Sequence, residues 1–572
     1  MTQVWDAVVI GGGPGGSAFA ATFARGGRRV VLLERDSFPR YHVGESLLGT
    51  HWSTFEALGV SDKLKSAGFV TKAGATFAWG RERVPWTVYY GDIDVPPAGL
   101  QVRRAEFDDI LLRHAASSGV DVRQDCRVEE VLFEAGRAVG AAFSERGGAR
   151  QEIRAEWVID ATGADSLIGK RLGLVELDPG LGSIAVWSYW EHGGRLAGRD
   201  RGNTLYVSAD LGWFWYIPVD DTNDVVSVGI VLGSTVHGST EPADDLYQDS
   251  IDGCEVVRDL LAGSRRVAPV RSATAATQSC SSLSGPGWIL VGDAAYATDP
   301  IMSSGVQFAV QHGSLAAHVV STVLDDPAAR SHALAYYGQL CRQNHETFVR
   351  LSRNFYAAMH AESEDPEAPD LATGRETTPA RVPQAAGQGD PLALLALGTG
   401  LSKLDARIAL GSYLAGRAAA GGNGRPPVLS QLGPAFLEMH FHADQLRSAR
   451  AQRIATDLNR GSIVQVAPGV TVGDHFFLAP GDDTLQRRRA IGNRLGDRYA
   501  ESFELRVLFA ALAEHRPYGD VRELVCRTLG LRRRPQDFDA WIELLADHAL
   551  VEWGAVAGPP ADIDWRGAHC AG

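Results

Sequence analysis

No two of the six cysteines stand close together. Cys126, Cys254, Cys280, Cys341, Cys526 and Cys570 leave no paired CxxC for zinc, and they are too few for a disulfide framework in 572 residues. A reducing cytoplasm is the expected setting. Positive charge is also short: 55 Lys and Arg face 69 Asp and Glu, and the net charge of -14 opposes a general grip on nucleic-acid phosphates. Long apolar runs are missing. The best candidate, from Pro391 onward, meets Lys403, Asp405 and Arg407 before it could cross about 30 Å of hydrocarbon, so no membrane span is expected. The first residues read as a strand and not as a basic region followed by an apolar core, so no signal peptide is expected. No GxSxG elbow, HExxH or kinase signature occurs. His440 and His442 with Asp444 lack a matched ligand cluster, so no metal is expected.

What remains is an ordinary globular composition, 45% hydrophobic and 22% charged. At about 150 residues per domain, the length implies several units. Val4 to Ile10 is an apolar run, followed by Gly11-Gly12-Gly13-Pro14-Gly15-Gly16 and a small-residue helix from Ser17 to Gly26. In this strand, glycine turn and helix, Gly11 permits the turn, Gly13 lets backbone approach a pyrophosphate, and Gly16 lets helix and strand close up. The N–H groups at the helix start favour phosphate. A second strand, Arg29 to Leu33, ends at Glu34, where a carboxylate accepts hydrogen bonds from a ribose. A strand from Trp157 runs into Asp160-Ala161-Thr162-Gly163, and another from Trp288 runs into Gly292-Asp293-Ala294-Ala295. Asp299-Pro300-Ile301-Met302-Ser303-Ser304-Gly305-Val306 then leads into a long helix, again with an anion-favouring start. Val128 to Phe133 reads as a strand. Arg103 and Arg104 open a helix where the dipole disfavours cations, which points to another partner such as phosphate.

Leu181 to Val231 alternates and is rich in aromatics, as an antiparallel sheet is. The expected organisation is a nucleotide domain over 1–180 that returns over 271–360, with a substrate sheet inserted over 181–270. A linker over 361–427 and a mainly helical domain over 428–572 complete it. In that last part Ser462 to Val472 reads as strand, and helices over 503–515, 519–529 and 536–548 precede a strand at Leu550 to Trp553, resembling a winged helix. Within the sheet, Trp213-Phe214-Trp215-Tyr216-Ile217-Pro218 places Trp213, Trp215 and Ile217 on one face and Phe214 and Tyr216 on the other. Pro218 fits a strand end or edge. Lys72, among Gly68-Phe69-Val70-Thr71-Lys72-Ala73-Gly74, reads by default as a solvated surface lysine, and Glu45 as a helix-start acid.

Taken together, Gly11 to Gly16, Glu34, Asp160 to Gly163 and Gly292 to Ala295 resemble the FAD-binding signature of the flavoprotein monooxygenase superfamily. Trp213 to Pro218 resembles the WxWxIP motif of flavin-dependent halogenases, Lys72-Ala73-Gly74 their catalytic-lysine region, and Asp299 to Val306 their loop beside the flavin. The resemblance implies an α/β fold: a Rossmann-like FAD-binding domain with an inserted antiparallel sheet. It implies FAD bound by Gly11, Gly13, Pro14, Gly16, Glu34, Arg35, Arg104, Val128, Asp160, Gly163, Gly292, Asp293, Pro300, Gly305 and Val306. A separate flavin reductase supplies reduced FAD, and chloride near the N–H groups of Ser304 and Gly305 becomes hypochlorous acid. Lys72 then holds the oxidant as an ammonium or carries the chlorine as an amine. Trp213 and Trp215 keep flavin and substrate apart, Glu45 supports Lys72 or the substrate end, and Tyr356 lies on the substrate side. The implied substrate is an electron-rich aromatic or enolisable acyl group, free or carrier-bound, from a natural-product pathway. Some relatives attach FAD covalently through an aspartate before the GDAA strand; Ala273 to Ser284 has none, so non-covalent FAD is expected. Two other readings stand beside this one. An aromatic hydroxylase of the same fold would oxidise NAD(P)H by itself, although no second dinucleotide fingerprint is present. A winged-helix regulator with a sensory flavin is opposed by the acidic charge.

Overall fold

A computed structural model of the chain describes residues 4–48, 51–79, 83, 85–89, 99–233, 242–359, 463–466, 471–477, 486–492, 498–500, 508, 511–512, 518–528 and 551–554. The strand Val4–Ile10 pairs in parallel with Val30–Leu33 on one side and Arg150–Asp160 on the other. Asp121–Arg123 and Trp288–Leu290 extend the parallel sheet outward. Parallel strands are covered on both faces, and the central stretches 7–10, 30–33, 157–159 and 288–290 are accordingly apolar and buried. Gly11 bends the chain out of the first strand at φ +104, and a Cβ there would sit 2.5 Å from the Ala161 carbonyl oxygen. The helix Pro14–Arg25 follows and packs on the helix Gly305–Asp325. A Cβ at Gly313 would meet the Gly15 carbonyl oxygen at 2.2 Å, so this crossing needs glycine.

The expected alternation over Leu181 to Val231 becomes the strands Val175–Glu191, Thr204–Ala209, Gly212–Asp220 and Val225–Leu232, paired antiparallel. Their sheet is not confined to 181–270. Arg271–Cys280 pairs along Val175–Glu191, Gly74–Ala78 runs parallel to Thr204–Ala209, and Pro85–Tyr89 lies beyond it. These additions carry no period-two contrast: Arg271–Cys280 is mostly Ala, Ser and Thr, and Gly74–Ala78 is buried at every position. Trp213, Trp215 and Ile217 pack on one face with Phe77, Trp187 and Tyr206. Phe214 and Tyr216 pack on the other with Tyr247, Ile251 and Val257, from the helices Ala243–Asp252 and Glu255–Leu260. Gly229 stands opposite Trp215, where a Cβ would fall 2.2 Å from the indole, so its lack of a side chain makes room for the ring. Pro218 lies past the last pair with Thr204–Ala209, and the ladder to Val225–Leu232 shifts register just after it.

A small antiparallel sheet of Ser46–Leu47, Gly99–Gln101 and Val70–Lys72 sets Ser46 opposite Gln101 and Lys72 opposite Gly99. The chain divides after Ser402 into two compact units. In the second, Ile463–Val466 pairs with Val551–Gly554, while Thr471–Phe477, Gln486–Gly492 and Arg498–Ala500 form a meander, and Tyr518–Thr528 is helical. The strand expected over 462–472 falls on two described strands, Ile463–Val466 and Thr471–Phe477, which pair with different partners. The linker over 361–427, the helix expected over 536–548 and His440, His442 and Asp444 lie outside the described residues. Among the described residues no helix is long and apolar enough to cross a membrane, and no cluster of three His, Cys, Asp or Glu could hold a metal.

Candidate active site

A cavity of about 630 Å3 begins at Ile10 and Leu33, the last residues of two parallel strands, and reaches Trp213 and Trp215. The carboxyl edge of a parallel sheet is where such folds bind ligands. Gly11, Gly13, Pro14, Glu34, Arg35, Arg104, Val128, Gly163, Gly292, Asp293, Pro300, Gly305 and Val306 line it, as do Glu45 and Ser304. Gly16 does not. A Cβ there would lie 2.0 Å from the Gly11 carbonyl oxygen, so its task is to close helix on turn. Asp160 is also outside the lining: its carboxylate accepts from Thr162 N–H and O–H and from Ile168 N–H at 2.7 Å, and so shapes the turn that brings Gly163 to the cavity.

The lining fits a dinucleotide. Side chains at Gly13 or Gly305 would meet almost nothing of the protein, Arg40 Nη2 at 3.5 Å and Asp293 Oδ1 at 4.0 Å, so backbone is open to the cavity at both ends. Glu34 is buried, with Gly12 N–H donating to one oxygen at 2.6 Å and Asp36 N–H to the other at 2.8 Å. A carboxylate so fixed keeps lone pairs for a ribose. Arg104 spends its donors within the protein: Nε and Nη2 fork onto Asp108 at 2.8 and 2.9 Å, and Nη1 donates to the Val43 carbonyl at 2.7 Å. Arg40 shares the same carboxylate at 3.1 Å. Asp108 was not singled out by sequence reasoning, although its place four residues after Arg104 on a helix is an ion-pair spacing. Burial and the neighbouring Arg104 push His42 down to about 4, so this cavity-lining ring is neutral. Burial lifts Asp293 and Asp299 to about 6.

Lys72 is not a surface lysine. It is fully buried and donates to Ser46 Oγ at 2.8 Å, and burial lowers it to about 7. Ser46 lines the cavity whereas Lys72 stands behind it. Glu45 accepts from the Tyr189 hydroxyl at 2.5 Å and from Gly44 N–H, and burial raises it above the usual carboxylate range. Successive residues at a strand point to opposite sides, so Ser46 and not Glu45 is the neighbour turned to Lys72. Tyr356 lies outside the lining and bridges: Trp213 Nε1 donates to its hydroxyl at 3.0 Å, and that hydroxyl donates to Asp299 Oδ2 at 3.0 Å. Asp299 also caps Ile301 N–H, so the tryptophan strand, the long helix Arg330–Met359 and the loop before Gly305 are tied at one point.

Fold and cavity define a protein built to hold FAD, and residues 4–352 match the FAD binding domain family. The chain is 31% identical over 380 residues to the flavin-dependent halogenase armH3 of Armillaria mellea, covering 62% of this chain and 75% of that one. Among solved structures, the myxobacterial chondrochloren halogenase CndH is 35% identical with a TM-score of 0.61, covering 64% of this chain and 85% of its own. The flavin-dependent halogenase CmlS is 25% identical with a TM-score of 0.72, covering 98% and 99%. The chain belongs to the flavin-dependent halogenases of the FAD binding domain family, oxidoreductases that take reduced flavin from a reductase and act on a small molecule.

Proposed function

We propose that this halogenase transfers chlorine to an electron-rich aromatic or enolisable acyl substrate of a natural-product pathway, free or tethered to a carrier protein. The observation that carries the reading is Lys72, a buried lysine bonded to the cavity wall. Bound FAD, when reduced, would supply the two electrons that activate O2 for the oxidation of a halide to hypohalous acid. The residues named above would hold it, and no carboxylate occurs from Ala273 to Ser284, where Ala273 and Thr274 line the cavity, so acid precipitation should release the flavin. Ser304 and Gly305 begin a 21-residue helix, whose free N–H groups suit chloride without a buried cation. Trp213 and Trp215 form the partition, and the Tyr356 bridge to Asp299 keeps Trp213 in place. Lys72 receives the oxidised chlorine, and Glu45, held by Tyr189, shapes the wall beside it. The described cysteines, Cys126, Cys254, Cys280 and Cys341, are free and buried, which supports a reducing cytoplasm.

The test supplies the protein with FAD, a reductase, O2 and, in separate arms, chloride or bromide, and offers phenol, pyrrole, indole and β-ketoacyl acceptors both free and as carrier-bound thioesters. Monochlorinated product from at least one acceptor is expected. Transfer of bromide alone would refute the chlorination, and product on electron-poor rings alone would refute the substrate class.

A further inference from the structure

Four hydroxyls stand in file from the loop before the helix Gly305–Asp325 to Lys72. Ser303 Oγ is 2.8 Å from the Tyr206 hydroxyl. Thr204 and Tyr206, two apart on one strand, share a face, which sets the Thr204 hydroxyl beside the phenol. Thr204 Oγ1 is 3.0 Å from Ser46 Oγ, which accepts from Lys72 Nζ. Ser303, Tyr206, Thr204 and Ser46 all line the FAD cavity, so the file follows its wall. Two nitrogen donors enter the file at its Lys72 end. Lys72 donates into Ser46, and Gln101 Nε2, itself held by the Gly202 carbonyl, donates into Thr204 at 2.9 Å. An arrangement in which the Ser46 proton points to Thr204 and the Thr204 proton to Tyr206 keeps each oxygen within its two lone pairs. Each hydroxyl can accept one proton and release its own.

We propose that Ser46, Thr204 and Tyr206 relay the proton of Lys72 to the Ser303 end of the cavity as halide is oxidised there, leaving Lys72 as the amine that receives the halogen. This rests on the reading of Lys72 as the halogen-receiving residue. The balance closes: FADH2, O2, X− and H+ give FAD, HOX and H2O, so halide oxidation takes up one proton at the cavity end. That proton comes from the Lys72 ammonium. The amine lone pair then attacks the halogen of HOX; the N–X bond forms, the O–X bond breaks, and hydroxide leaves as water with a proton from nitrogen. Attack of the substrate carbon on the N–X halogen breaks that bond, and the substrate's proton returns to nitrogen to restore the amine. Lys72 regains its ammonium proton through the file from the cavity.

The test reads exchange of the Lys72 Nζ protons with solvent, by NMR of the full chain carrying 15N-labelled lysine and oxidised FAD, without turnover. Thr204→Val and Tyr206→Phe are expected to slow exchange about tenfold or more, and Ser46→Thr to keep it within about twofold of the parent, whereas Ser46→Ala slows it. Tyr206→Phe removes one oxygen and guards against misfolding of the others; bound-flavin absorbance reports the fold. Unchanged exchange in folded Thr204→Val and Tyr206→Phe overturns the relay. So does slowed exchange with undiminished halogenated product per flavin reoxidised. Because exchange is read without turnover, it fails separately from the role of Lys72 in halogen transfer.

Discussion

Replacing Lys72 by Met is expected to give a protein that is more stable than the parent and makes no halogenated product. The lysine is fully buried, and burial holds it at about 7, below the value it takes in the unfolded chain. Between those two values the unfolded chain binds the extra proton, so stability rises with pH there. The cost of burying Lys72 is therefore fully present below about pH 7 and fades as pH climbs toward about 10. A tenfold change in a protonation equilibrium is worth about 1.4 kcal/mol, so Met, of similar length and without charge, recovers a few kcal/mol, less about 1 kcal/mol for the lost bond to Ser46. Chemical denaturation should show the gain near pH 6.5 and little of it near pH 9.5; equal destabilisation at both would contradict a strained buried lysine. Turnover should lose product by about a hundredfold or more while reduced flavin is still reoxidised, because the cavity lining is untouched.

Asp108→Ala is expected to act in the opposite sense, costing about 3–5 kcal/mol. Asp108 is fully buried and is the carboxylate for both Arg104 and Arg40. Its removal leaves the Arg104 guanidinium, whose side chain is 5% exposed, without its ion-pair partner. Arg104 also fastens the Val43 and Gly44 carbonyls on the cavity wall, so FAD affinity should fall together with the denaturation midpoint. Asp108→Asn, which keeps an acceptor for one arm of the fork, should lie between. A loss below about 1 kcal/mol in Asp108→Ala would mean that the arginines find other partners.

The parallel sheet was legible because Gly11, Gly13 and Gly16 sit between an apolar strand and a helix, a spacing that only a few backbone paths satisfy. The tryptophan face was legible too, since alternation alone separates Trp213 and Trp215 from Phe214. Hidden were the strands that complete the second sheet, because Gly74–Ala78 and Arg271–Cys280 show no contrast between their faces. Lys72 looked like a surface residue for the same reason. Its burial comes from pairing with Gly99 and from Ser46, both distant in sequence, and no local pattern carries that information. Thr204, Tyr206 and Gln101 were illegible as a group, since their hydroxyl and amide contacts exist only once two strands distant in sequence meet. Asp160 shows the converse: a motif residue expected to bind the cofactor, whose oxygens are spent on its own turn.

The central claim is that oxidising power made in the FAD cavity reaches substrate as halogen at Lys72 and not as oxygen across Trp213 and Trp215. The most direct measurement is a single turnover under 18O2 with chloride and an accepted substrate, followed by mass spectrometry of the product and of the water. The expected result is product bearing chlorine and no 18O, with the label in water. Product carrying 18O would contradict the partition and return the enzyme to the hydroxylases.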